Sequence, residues 1–158
     1  MQTRLELFFL DFVKSMEELR RLRKRMIVSD AKAMYKEIDD HEAVKDFRSV
    51  QAIVEQLRER HRGKNWGWDY AFMTAQYFGG IYRALESVWS LLREGSYFLL
   101  VLGESAHSGV LVPVPSIVGE LGEAIGYRLE DIQVLRTRRS SSHRFTLAES
   151  MVVLRKPG

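Results

Sequence analysis

Hydrophobic positions recur with a helical period of about 3.6 over the first part of the chain and gather into short apolar runs after about residue 66. Leu5, Phe8, Phe9, Phe12, Met16, Leu19 and Leu22 fall on one side at that spacing. They predict a helix from Arg4 to Arg25 with a broad apolar stripe. The polar stretch from Ser29 to His41 interrupts the pattern. Val44, Phe47, Val50, Ile53, Val54 and Leu57 resume it and predict a second helix, to about Arg60. Gly63, Asn65 and Gly67 then mark a loop.

Beyond that loop, helical and extended patterns alternate. Tyr70 to Arg93 reads as a helix that buries Phe72, Ala75, Ile81, Leu85, Val88 and Leu92. Gly79-Gly80 inside it predicts a kink or a close contact, and Glu94-Gly95 ends it. Tyr97 to Leu102 is an unbroken apolar run closed by Gly103, the pattern of a central strand covered on both faces. Residues 104–115 read as a loop, briefly extended at Val110 to Val112, and Ser116 as the cap of a helix ending at Gly126. Ile132 to Arg136 is strand-like, Arg138 to His143 a basic, serine-rich turn, and Ser150 to Arg155 a final strand. A helical crossover sets strands 97–102 and 132–136 parallel, and the short turn sets 150–155 antiparallel. The expectation is a helical region over residues 1–67 and an α/β region over 68–158, with a mostly parallel sheet closed by one antiparallel hairpin.

Composition narrows the chemistry. The chain has 158 residues, 46% of them hydrophobic, enough to bury a core. It has no cysteine, which excludes disulfides, thiolate metal sites and cysteine nucleophiles and suits a reducing, cytoplasmic setting. The apolar start is broken by charge, so no leader is expected, and no run is long enough to span a membrane. The net charge of +3 permits nucleic-acid binding without demanding it. Its arginines cluster, however, at residues 20–25 and 136–144. His41, His61, His107 and His143 have no metal-ligand spacing, and no metal site is expected.

Several stretches resemble site-specific, S-adenosyl-L-methionine-dependent DNA methyltransferases of the amino-methylating group. One runs from Tyr77-Phe78 through Leu91-Leu92-Arg93-Glu94-Gly95 to Val101-Leu102-Gly103-Glu104-Ser105, similar to the segment around the family's fifth strand. Gly109 to Pro113 with the following helix and Gly126-Tyr127 is a second, and Leu135 to Arg144 with Val153 to Pro157 a third. Arg4 to Leu10 resembles the helix after the family's Pro-Pro-Tyr motif. The resemblance implies the late strands of a Rossmann-like methyltransferase fold, S-adenosyl-L-methionine as cofactor, and cytosine N4 or adenine N6 as target, in the setting of restriction-modification.

Two family motifs do not occur in these residues. No glycine pair follows a strand and opens a helix, and the three prolines, Pro113, Pro115 and Pro157, are never adjacent. No catalytic residue is therefore assigned. The resemblance implies a split enzyme's subunit, a fragment or a remnant, completed by a complementary half or self-associating. A non-catalytic DNA-binding or regulatory module derived from that fold is the competing reading. In either case the candidate DNA contacts are Arg136, Arg138, Arg139, Ser140, Ser141, Ser142, His143 and Arg144, because arginine forks and hydroxyls suit phosphate oxygens. A solvated hairpin turn explains the same residues equally well. The loop Gly103, Glu104 and Ser105, with His107 and Ser108, is expected at the same cleft, at the carboxyl edge of the sheet. Trp66, Trp68 and Tyr70 are candidates for base stacking or for packing.

Overall fold

The computed structural model describes residues 4–30, 37–63, 69–142 and 144–158. Among the described residues it is a mixed α/β structure of five α-helices, a three-stranded antiparallel sheet and a two-stranded one. The amino-terminal stripe is not one helix. It forms α1 (Arg4–Phe9) and α2 (Met16–Lys24), separated by a turn in which Asp11 has φ 59°. Ser15 accepts a hydrogen bond from the Glu18 amide and caps α2, so a new helix starts where the stripe predicts continuation. The arginines of residues 20–25 cover the last turn of α2, where cations favour the helix dipole.

A 3-10 turn at Asp40–Val44 leads into α3 (Arg48–His61), and α4 (Tyr70–Leu91) follows. Gly79-Gly80 makes a close contact, and α4 runs straight through it. A Cβ at Gly79 would stand 1.8 Å from the Asp40 carbonyl oxygen, so only glycine lets the 3-10 turn lie on the helix. Gln76, one turn earlier, is buried and bonds both the Ile38 carbonyl (2.5 Å) and the His41 amide (3.1 Å). Asp39 and Asp40 each meet Arg83 at 2.8 Å.

The three-stranded sheet has the order β1 (Tyr97–Gly103), β5 (Thr146–Arg155), β4 (Arg128–Arg139), with both neighbouring pairs antiparallel. β1 and β4 thus point the same way, as the crossover predicts, but β5 lies between them and no two neighbours are parallel. Residues 104–115 hold a small hairpin of β2 (Ser105–His107) and β3 (Val110–Val112). Its two-residue turn, Ser108 (φ 52°) and Gly109 (φ 80°), has the left-handed backbone that tight hairpins require. Ser116 does not cap the next helix. α5 (Val114–Ile125) begins at Val114 with Pro115 in its first turn, where proline's fixed φ favours helix entry.

The core joins both sequence regions: Val44, Val54 and Leu57 pack in one cluster with Phe78, Leu85, Val118, Leu121, Val152 and Leu154. α5 presents glycines to the sheet. Gly119 touches Leu129 of β4 and Gly122 touches Leu154 of β5, in each case with a would-be Cβ 2.9 Å from the leucine. The covering of β1 departs from expectation. One face packs Phe98, Leu100 and Leu102 against the core, whereas Tyr97, Leu99 and Val101 are 54–57% exposed on the other. Among the described residues, only β5 pairs with β1, and no helix is long and apolar enough to cross a membrane.

Candidate functional site

β4 and β5 run past the end of β1. β1 pairs with β5 only as far as Gly103↔Glu149, while Thr137, Arg138 and Arg139 continue to pair with Ala148, Leu147 and Thr146. The overhang projects as a two-stranded ribbon by about three residues, on the order of 10 Å. Arg138 and Arg139 belong to strand β4 and not to the turn, which is confined to residues 140–145. A strand alternates its side chains, so these two neighbours stand on opposite faces of the ribbon, both exposed.

The eight candidate DNA contacts do not form one set. Arg138, Arg139, Ser141, Ser142 and Arg144 are exposed. Ser140 is buried and structural: its hydroxyl accepts from the Phe145 amide, its amide donates to the Phe145 carbonyl, and the two bonds close the turn. Arg136 is held in a two-pronged pair with Glu149, both contacts 2.9 Å. The guanidinium holds the Glu149 carboxyl below its ordinary range, and the carboxylate raises Arg136 in return. That pair fixes the ribbon's base. His143, Trp66 and Trp68 lie outside the described residues.

The loop after β1 sits at the same place. Glu104 donates its amide to the Ala148 carbonyl and accepts the Ala148 amide on its carboxylate, each at 2.8 Å. Its carboxylate acts as an extra rung of the ladder. Arg144 lies beside Gly109 at the hairpin turn. The structure therefore gathers Glu104, the β2–β3 hairpin and the tip of the arginine ribbon at one end of the sheet.

Next to this end a cavity of about 220 Å³ opens between α4 and the hairpin. Met73, Thr74 and Tyr77 line it from α4, and Gly103, Ser105, His107 and Val112 from the opposite side. Burial lowers the pKa of His107 and raises that of Tyr77, so both are held neutral. Tyr70 stacks on His107 with ring centres 4.8 Å apart, and its ring also meets His61 at 5.4 Å. Its aromatic face is used in packing, not left open for a base. His61 Nε2 lies 2.7 Å from the Ser108 hydroxyl. The His61–Ser108 contact crosses 47 residues of sequence, and no spacing rule could have revealed it. The single sequence sign of the cavity is polar Thr74 and Tyr77 within the largely apolar face of α4.

Gly79, Gly119 and Gly122 are committed to packing. Gly79 is used against Asp40, and Gly119 and Gly122 against Leu129 and Leu154, so none of them cradles a nucleotide. Nor does any group of three or more His, Asp or Glu among the described residues converge as a metal site would require. By its fold, the chain belongs to the mixed α/β class. Comparison with protein-family models, curated protein sequences and solved structures gives no match.

Proposed function

We propose that this chain is one half of an S-adenosyl-L-methionine-dependent DNA amino-methyltransferase, completed by a second half that docks along β1. On this reading β1, β5 and β4 are the late strands of a Rossmann-like sheet, and the cofactor and the methyl transfer belong to the completing half. The contrast between the two sheet edges carries the reading. The outer edge, β4, is guarded by charge and by two register shifts, at Leu129/Asp131 and Val134/Arg136. Those are the devices by which proteins prevent strand addition. The other edge, β1, is in unbroken register, reads Tyr-Phe-Leu-Leu-Val-Leu-Gly and has no guarding charge. Its apolar residues Leu99 and Val101 continue across the sheet into Val153 and Met151. An edge and a face of this kind suit another strand with a helix laid over it. β1, β5 and β4 lie within residues 77–157, the part of the chain that carries most of the family resemblance.

The arginine ribbon supplies the second element. Arg138, Arg139 and Arg144 would hold phosphates of the target strand, with Ser141 and Ser142 as additional donors. The exposed arginines are also what favours the competing reading, a DNA-binding module without catalysis.

Co-expression with a chain bearing the glycine loop and the Pro-Pro motif, followed by transfer of labelled methyl groups to DNA, tests the proposal. Activity in the pair and none in either half is the expected result. Failure of the two to associate would overturn it, and salt-dependent DNA binding by this chain alone, without methylation in the pair, would favour the module. Replacing Arg138 and Arg139 together by glutamate should lower DNA affinity at least tenfold and reduce the salt slope by about 2. Unchanged affinity would remove the ribbon from the interface.

A further inference from the structure

The turn of the β2–β3 hairpin carries a serine in an unusual setting. Ser108 has φ 52°, a left-handed backbone that glycine, asparagine or aspartate ordinarily supplies at this point of a tight hairpin. A serine held there stands on a strained turn, the arrangement by which hydrolases display a nucleophilic hydroxyl. Its Oγ lies 2.7 Å from His61 Nε2, within the reach of a direct proton transfer. Both residues are half-buried, so the pair is shielded and still open to a substrate. The base is also held in place. His61 is the last residue of α3, and its ring meets that of Tyr70, which stacks in turn on His107 of the same hairpin.

Groups suited to a negative oxygen gather at the same turn. The amides of Ser108 and Gly109 have no hydrogen-bond partner among the described residues, and consecutive turn amides attract anions. The Arg144 guanidinium comes within 3.8 Å of the point where a Gly109 side chain would begin. A groove of about 580 Å³ adjoins the pair. Arg60 and Gly109, the chain neighbours of His61 and Ser108, both line it, and Ala52, Leu111 and Phe145 give it an apolar surface. Glu55 and Glu59 on its α3 side each pair with an arginine, Arg58 and Arg62, so the wall favours a neutral occupant. A nucleophile, a base within hydrogen-bond reach, anion donors and an apolar groove are the parts of an acyl-transfer site.

We propose that Ser108 and His61 form a nucleophile–base pair that hydrolyses neutral carboxylic esters with a short apolar acyl group. Ser108 Oγ attacks the ester carbonyl carbon while His61 Nε2 takes the hydroxyl proton. The carbonyl oxygen becomes an oxyanion, held by the turn amides and Arg144. As it collapses, the bond to the alcohol oxygen breaks, and His61 returns the proton to that oxygen. The acyl group is left on Ser108. Water then attacks the acyl carbon and gives its proton to His61, the bond to Oγ breaks, and His61 reprotonates Oγ. Ester and water become acid and alcohol, and nothing is oxidised or reduced. The activity is separate from the methyl transfer proposed above and needs no completing half.

The test uses the full chain with p-nitrophenyl butyrate as substrate and a fluorophosphonate as covalent probe, the labelled residue being located by peptide mass spectrometry. Saturable release of p-nitrophenol above the buffer rate and a label on Ser108 are expected. Ser108→Gly should lose the label and fall to the buffer rate, and it should fold, because glycine accepts this backbone without strain. His61→Gln keeps a hydrogen-bonding group beside Ser108 but cannot take up the proton. It should lower kcat about a hundredfold or more with little change in KM. Circular dichroism establishes that both variants are folded. No hydrolysis by the parent, no label on Ser108, or a folded Ser108→Gly variant as fast as the parent overturns the proposal. DNA methylation by the assembled pair is assayed separately, so either reading can fail without the other.

Discussion

At the scale of single residues, two positions show how local chemistry fixes the site. Gly79 lets the 3-10 turn reach α4, and a methyl group there would meet the Asp40 carbonyl at 1.8 Å. Gly79→Ala should destabilise the chain by about 2–3 kcal/mol, read as a lower midpoint in urea unfolding, because a well-packed contact has no room to relax. His107 gives a pH dependence. Burial lowers its folded pKa below the unfolded value of 6.5, so over the interval between the two the unfolded chain binds a proton that the folded chain does not. Its contribution is fully present above pH 6.5 and is lost as pH falls from there through the lowered folded pKa. The difference in unfolding free energy between the parent and His107→Gln should therefore change across that interval and be flat above it, measured by urea titration at a series of pH values.

At the scale of elements, the ends matter more than the middles. α4 has no basic residue in its last turn, yet its final carbonyls are satisfied from the far end of the chain. Lys156 donates to the carbonyls of Trp89 and Leu92, each at 2.9 Å, and its ammonium lies 4.7 Å from the centre of the Trp89 ring. Lys156→Met keeps the stem and removes the cap. It should cost about 1–2 kcal/mol in thermal or urea unfolding, with the loss centred on the junction of α4 and β1 in hydrogen exchange. The interiors of α3, α4 and β1 were legible because their periodicity is strong. The division of α1 from α2 was not, since the apolar stripe runs on through the break and only Ser15 signals a new start. Ser116 misled because a proline one residue earlier offers a better helix entry. The strands β4 and β5 proved longer than their apolar runs because arginine and threonine pair in a ladder as well as valine does once the partner strand is present.

At the scale of the whole molecule, the open face of the sheet is the feature that most needs an explanation. Tyr97, Leu99 and Val101 are more than half exposed although they belong to the most apolar segment of the chain. Phe9, at 88% exposed, and Phe12, at 72%, add apolar surface on the amino-terminal side. Leu99→Lys combined with Val101→Lys should preserve the fold, since both side chains already face outward. It should abolish association, either with a completing half or between copies, as measured by sedimentation velocity. A parent chain that stays monomeric at high concentration and ignores any candidate half would contradict the role given to this face.

Taken alone, the sequence determined the interiors of α3, α4 and β1, which runs are apolar, and that residues 136–144 concentrate arginine and serine, because periodicity and composition are local properties. Only the tertiary structure decided that β5 separates β1 from β4, that Arg136 is occupied by Glu149 and Ser140 by Phe145, and that Thr74, Tyr77, Ser105 and His107 surround one cavity. Those facts depend on pairings between residues far apart in the chain. Such pairings are selected by the packing of the whole core and leave no spacing in the sequence from which to read them.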